Sequence, residues 1–229
     1  MKKFLMVCAL GMLLSAPVFA TVIGGNDTKA VPDGTTITLN LPKFNGSISD
    51  LTNIWVELKF DIFNAVVEMD NDSAAIGTGT AKLNSSLTTL TSTVNLLKDN
   101  FDSINAGDYI IAASEGFTLS ATTGDTIGAF NATSGNDYKF HDFGTITKQD
   151  SGNIFNGVWA NYVGTGDFQI TIVANYLTGA TFTGSDGYFQ GSTPSGEIYA
   201  EVVYTYVPEP ATILIFAIGS LISIRKKLR

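Results

Sequence analysis

The sequence predicts an all-β protein built as a two-sheet antiparallel β-sandwich of the jelly-roll or immunoglobulin-like kind. Three observations carry that expectation. First, several stretches alternate apolar and polar residues with a period of two, which on a pleated strand buries one face and wets the other. Second, threonine, glycine and β-branched residues dominate, and apolar residues make up 45% of the 229 residues. Third, the chain shows neither a Rossmann or P-loop glycine pattern nor a sustained amphipathic helix, so packed sheets are the remaining architecture.

Taken in order, residues 21–34 hold Gly24-Gly25-Asn26-Asp27 and Pro32-Asp33-Gly34. These are turn formers with little to bury, so a short lead-in and a turn are expected. Residues 35–41 alternate Ile37, Leu39 and Leu41 against Thr36, Thr38 and Asn40 and predict the first strand. Leu41-Pro42-Lys43-Phe44-Asn45-Gly46 breaks it, with Phe44 expected to tuck inward. The clearest pattern follows: Ile54, Val56, Leu58, Phe60 and Ile62 share one face, and Trp55, Glu57, Lys59, Asp61 and Phe63 the other. The apolar phase then moves to Ala65, Val67 and Met69, which predicts a bulge or corner near Asn64 where the strand passes from one sheet to the other.

Leu87, Leu90, Val94, Leu97, Phe101 and Ile104 have helical spacing, but the threonines and serines between them favour a strand over 88–97. Residues 109–113, 116–121 and 126–130 read as further short strands, and 151–162 as a short helical turn carrying Ile154, Phe155, Trp159 and Tyr162. Two long alternating strands close the body: one through Phe168, Ile170, Ile172, Ala174 and Tyr176, the other through Ile198, Ala200, Val202, Tyr204 and Tyr206.

Both ends differ in kind from this body. Residues 1–20 have Lys2 and Lys3, an apolar run over 4–14, and Val18-Phe19-Ala20, the pattern of an export signal cleaved between Ala20 and Thr21. Cys8, the single cysteine, lies inside that apolar run, so the exported body holds no disulfide and no thiol chemistry. Residues 207–229 read as Val207-Pro208-Glu209-Pro210, an uncharged apolar run over 211–224, and a basic end of Arg225, Lys226, Lys227 and Arg229. At 1.5 Å per residue that run makes a helix of about 21 Å, short against a hydrocarbon core of about 30 Å. The basic residues act as a membrane stop and put the C-terminus in the cytoplasm, with their stems covering the missing length. Pro208 and Pro210 keep the junction extended and accessible. From these residues alone, a single-span tail anchor and a processing address are both open.

The tripartite order Val207-Pro208-Glu209-Pro210-Ala211-Thr212, apolar helix and terminal basic cluster resembles the PEP-CTERM sorting signal of Gram-negative bacteria, although the apolar segment here is shorter and richer in isoleucine. The resemblance implies recognition by an exosortase, a membrane protease or transpeptidase that removes the tail, in carriers associated with exopolysaccharide and biofilm matrix. The body resembles the choice-of-anchor E domain through Leu41-Pro42-Lys43-Phe44, Ile54-Trp55-Val56-Glu57-Leu58, Gly164-Thr165-Gly166-Asp167-Phe168 and Val202-Val203-Tyr204-Thr205-Tyr206, while carrying more charge and aromatics. That family implies an exported β-domain and supplies no catalytic residue.

The expected organisation is therefore a signal peptide over 1–20, a β-sandwich over 21–206 and a sorting signal over 207–229, with an N-terminal signal helix and a C-terminal transmembrane helix flanking the sheets. The expected path is export by the Sec machinery, transient anchoring in the inner membrane, then release to the cell surface or extracellular matrix.

With both ends set aside, seven lysines face 20 carboxylates, so the body carries a net charge near −13 and no arginine. A basic patch for nucleic acid or another polyanion is thereby excluded. Asp70-Asn71-Asp72 is the one acidic cluster that suggests calcium, but it lacks the glycine and distal glutamate of a calcium loop, so turn residues in an exposed loop are expected, with no metal and no cofactor. His141, the single histidine, has no nucleophile in a recognisable setting and is expected to be structural, in a chain read as non-enzymatic. Trp55, Trp159, Tyr162, Tyr188, Phe189 and Tyr199 raise the alternative of a carbohydrate-binding module or adhesin, because flat aromatic faces stack on sugar rings; a secreted hydrolase is the remainder.

Overall fold

Ile54, Val56, Leu58, Phe60 and Ile62 are fully buried while the residues between them are not, so the period of two is realised as a strand with one face in the core. The computed structural model describes residues 20–122, 130, 137–183 and 187–207. Among these the strands are β1 (Thr21–Val31), β2 (Thr36–Pro42), β3 (Leu51–Phe63), β4 (Val66–Asn71), β5 (Gly77–Ser92), β6 (Ile111–Leu119), β7 (Tyr138–Asp142), β8 (Ile146–Asn153), β9 (Asp167–Thr183), β10 (Gly187–Gly191) and β11 (Ser195–Tyr206). Short 3-10 turns interrupt them at Ile48–Asp50, Ala106–Tyr109 and Asn156–Tyr162.

All strand pairs are antiparallel, in sheets ordered β1-β11-β3-β8, β10-β4-β7 and β2-β9-β5-β6. The first two form one layer creased along a line, because β11, β3 and β8 continue as β10, β4 and β7 in the same order. At the crease Asn64 takes φ 60° and Gly144 φ 66°. Main-chain bonds from Phe143 N–H to the Ala65 carbonyl (3.0 Å) and from Ser192 N–H to the Val66 carbonyl (2.9 Å) tie the three crossings together. The corner expected near Asn64 is therefore present, and Ala65, Val67 and Met69 are buried beyond it. The long β5 and β9 run beneath both halves of this layer.

The main core lies between the layers and joins β3 and β11 side chains to those of β2, β5 and β9; a smaller cluster of Val67, Met69 and Ala81 sits beneath β4. No disulfide being available to the body, tyrosines link segments through the core. Tyr109, Tyr162, Tyr176 and Tyr204 donate hydroxyl bonds to the carbonyls of Leu58 (2.9 Å), Asn95 (2.7 Å), Val31 (2.7 Å) and Pro42 (2.8 Å). Each buries a large ring without orphaning its hydroxyl.

Several expectations change. Residues 21–31 are not a lead-in but the 11-residue strand β1, paired along its whole length with β11. It hides from a hydropathy reading because its inward positions include Asp27 and Lys29, which bond the Asn40 N–H (2.9 Å) and the Thr38 carbonyl (2.6 Å) of β2. The strand expected over 88–97 ends at Ser92 but starts back at Gly77, and no helix forms over 87–104. Residues 111–119 form one strand where two were expected, with Gly116 inside it. The helical turn expected over 151–162 is confined to Asn156–Tyr162, since β8 runs to Asn153. The strand expected over 126–130 falls, save for Phe130, outside the described residues.

Candidate functional site

The edge of β8 and the segment that follows β5 together form a candidate surface site. The segment is pinned to β8 by main-chain bonds from Asp99 N–H to the Asn153 carbonyl and from Phe155 N–H to the Leu97 carbonyl, both 2.9 Å. Lys98 runs beneath it with a side chain only 9% exposed and pairs with Asp150 (2.7 Å) and Asp102 (3.1 Å). Burial disfavours its charge, but the bonds to Asp150 and Asp102 outweigh burial and hold the ammonium above its ordinary pKa. The same contact holds the Asp102 carboxyl below its ordinary range.

Above this pair the chain turns sharply. Asn100 Oδ1 accepts from Asp102 N–H (3.1 Å) and Phe101 N–H bonds the Lys98 carbonyl (3.0 Å). Phe101 stands at the tip with φ 63°, a left-handed conformation costing a bulky residue about 1–2 kcal/mol, and its ring is 73% exposed against Phe155 (5.2 Å). A cleft of about 170 Å³ opens beside the turn, lined by Lys98, Asp99, Asn100, Ser151, Gly152 and Asn153. A Cβ on Gly152 would stand 2.9 Å from the Lys98 stem, so glycine makes room for that stem beside β8.

Next to the cleft residue Asn153, on the outer face of the first layer, Trp55 lies in register between Asn153 of β8 and Val203 of β11. Asn53 donates to Asn153 Oδ1 (3.0 Å), Gln149 to Glu57, Thr147 and Lys59 to Asp61 (both 2.5 Å), and Tyr199 to Glu201 (2.7 Å). The bond to Glu201, helped by burial, pushes the Tyr199 phenol up to about 12. Asp61 is held below its ordinary value: burial opposes its charge, but the bonds from Lys59 and Thr147 prevail. Lys59 is the one cation on this face of β3 and β11, against Glu57, Asp61, Glu197 and Glu201.

The remaining aromatics divide. Tyr162 is fully buried, and Trp159 is partly buried with its indole N–H on the Ile154 carbonyl (2.7 Å), so both belong to the core and its rim. Tyr188 and Phe189 are 45% and 48% exposed on β10, across the crease from Trp55. A wider groove of about 310 Å³ lies on the second layer beside Ile110 and Leu177. The His141 ring on β7 packs edge-on against Phe143 (4.4 Å) and near Phe117 (5.5 Å), a packing role.

The exposed loop expected at Asp70-Asn71-Asp72 is corrected. Asp70 and Asn71 end β4, and all three residues are buried, with Asn71 Nδ2 donating to the carbonyls of Ala75 (3.0 Å) and Ser120 (2.5 Å). Closing the turn through Asn71 draws its neighbours inward. Among the described residues no group of three or more His, Cys, Asp or Glu side chains is arranged to hold a metal ion.

Ala20 is exposed and Thr21 opens β1, while Val207 follows β11 and donates its N–H to the Asp50 carbonyl (2.8 Å). Pro208, Glu209, Pro210, Arg225, Lys226, Lys227 and Arg229, and both terminal helices expected from the sequence, lie outside the described residues. Among the described residues no helix is long and apolar enough to cross a membrane. The sequence does not single out Asn100, which lines the cleft, or Phe101 beside it, because helical spacing absorbs Phe101; the Asp99-Asn100-Phe101-Asp102 run is the turn signal that marks them.

No family model and no curated protein matches this chain. Among solved structures it is similar to the infectious bursal disease virus Gx strain structure at 11% identity and a TM-score of 0.22, covering 91% of this chain and 49% of that one. It is similar to Desmodium yellow mottle tymovirus at 7% identity and a TM-score of 0.19, covering 84% of this chain and 90% of that one. The chain thus spans about half the length of the first of these, and TM-scores this low carry no argument.

Proposed function

We propose that this protein is an exported, non-enzymatic surface or extracellular-matrix component, associated with exopolysaccharide and sorted by an exosortase acting at Val207-Pro208-Glu209-Pro210. On this reading the Sec machinery exports it, cleavage after Ala20 frees the N-terminus, and the apolar run with Arg225, Lys226, Lys227 and Arg229 holds the chain in the inner membrane until the tail is removed. A jelly-roll or immunoglobulin-like sandwich, a signal helix and a transmembrane helix belong to the same proposal.

One observation supports it most. Thr21 and Tyr206 are register partners at the open end of the β1–β11 ladder, so the strands fill the interval between the two expected signals. Both ends of the body leave the sandwich at one side, and cutting beyond Val207 would sever no ladder bond. The test is mass spectrometry of surface and medium fractions. Wild-type protein should yield no peptide beyond 208–210, and Glu209→Ala should keep the tail; an intact wild-type tail in cells with an active exosortase overturns the proposal.

A second reading, carbohydrate binding, is favoured by Trp55, which stands on the outer face of the sheet among cross-bonded polar side chains rather than in the core.

A further inference from the structure

We infer that the cleft between β8 and the 97–103 turn, together with the outer face around Trp55, binds a strand of neutral polysaccharide. The inference deepens the matrix reading above and rests on it only in taking a polymer, rather than a free sugar, as the ligand.

A sugar ring offers an apolar face of C–H groups and a rim of hydroxyls that both donate and accept. Its complement is an aromatic surface bordered by amides and carboxylates held at fixed positions. The site has both parts. Trp55 is the register partner of the cleft residue Asn153, and Phe101 directly follows the cleft residue Asn100 in the chain. Asn153 and Asn100 each have Oδ1 engaged, by Asn53 Nδ2 and by Asp102 N–H, which orients their Nδ2 groups as donors. Asp99 supplies acceptors and Ser151 supplies a hydroxyl, while Gly152 makes room for the Lys98 stem.

Charge selects among polymers. Glu57, Asp61, Glu197 and Glu201 outnumber Lys59 on the adjoining face, and Lys98 is spent on Asp150 and Asp102. A uronate, sulfate or phosphate polymer would meet repulsion, whereas neutral hydroxyls meet acceptors. Shape selects an extended ligand: the cleft is shallow and open, and the strands lead away from it in register, so successive sugars can lie along the sheet.

Phe101 argues that the arrangement serves binding. An exposed ring on a left-handed residue stabilises the fold little, and Asn would sit there with less strain. The test is affinity electrophoresis of the full chain in mild detergent, through gels containing dextran, galactomannan or soluble β-glucan, with alginate as the acidic comparator. Retardation by at least one neutral polymer is expected, weakened tenfold or more by Trp55→Ala and by Phe101→Asn, with Tyr188→Ala across the crease unchanged. The melting temperature of Phe101→Asn should match or exceed that of the wild type, so its loss of binding is read apart from loss of fold. Absence of retardation in every neutral gel, wild-type retardation of Phe101→Asn, or stronger retardation by alginate would overturn the inference. Binding is read with the tail in place, so failure of tail processing leaves this result standing.

Discussion

A Cβ added to Gly196 would lie 1.9 Å from the Tyr176 hydroxyl, which is itself bonded to the Val31 carbonyl at 2.7 Å. Gly196 thus leaves room for a tyrosine that ties β9 in one layer to β1 in the other. Gly196→Ala should displace that hydroxyl and destabilise the fold by about 2–3 kcal/mol, through overpacking and a lost buried bond. Tyr176→Phe alone should cost about 1 kcal/mol. Because both changes strike one contact, urea unfolding of the double variant should show less than the sum of the two costs.

Alkaline stability should turn on the core tyrosines. Burial raises the phenols of Tyr109, Tyr162, Tyr176 and Tyr204, four of the eight tyrosines, with the charges of Asp150 and Asp33 adding to the effect at Tyr109 and Tyr176. A raised folded value means that the folded state keeps protons which the unfolded state releases above about pH 10. Their contribution is present in full below that pH and is lost as pH climbs toward the folded values. Melting temperature should therefore fall steadily above about pH 10. Tyrosinate absorbance from these four should appear together with unfolding, not before it.

Lys98 is the ion-pair position most sensitive to substitution. Lys98→Ala leaves Asp150 partly buried without its cation and should cost about 3 kcal/mol in a thermal or urea melt. Asp102, on the exposed side of the same ammonium, should be dispensable: Asp102→Ala should melt within the scatter of the wild type. Equal losses in the two variants would mean that the pair with Asp150 is not the one that matters.

Relieving the backbone at residue 101 should help the fold. Phe101→Asn puts a residue tolerant of φ near 60° at the tip, and its melting temperature should match or exceed wild type. Phe101→Val, β-branched and poorly suited to that conformation, should lose about 1 kcal/mol by differential scanning calorimetry.

The tail should add nothing to the sandwich. Protein trimmed after Val207 should unfold at the same temperature as the full chain in the same detergent, because among the described residues the last strand, β11, ends at Tyr206.

How much was legible depends on where each strand lies. β3, β9 and β11 bury one face against the other layer, so Ile54 to Ile62, Phe168 to Tyr176 and Ile198 to Tyr204 wrote a period of two into the chain. β1 did not, because an edge strand can be held by ladder bonds and by polar residues such as Asp27 and Lys29 reaching the next strand. β7, with His141 and Phe140, and β10, with Tyr188 and Phe189, escaped notice for the same reason. Of the candidate aromatics the structure sets Tyr162 in the core and Trp55 on the outer face, and residue type alone did not separate them, since buried and exposed positions both take aromatic rings.

The chain by itself determined that the body is all-β, that no cysteine stabilises it, that its charge is acidic, and that its two ends differ in composition from everything between them. These are sums and periods, and they survive without knowing which strands meet. The tertiary structure alone decided that β1 and β11 bring Thr21 beside Tyr206, that three strands crease at one line, and that Trp55 pairs with Asn153, which lines one cleft together with Asn100. Antiparallel pairing joins residues far apart in the chain, as Thr21 with Tyr206 and Trp55 with Asn153, through backbone hydrogen bonds common to every residue, so side-chain order along the chain holds little record of who will be whose neighbour.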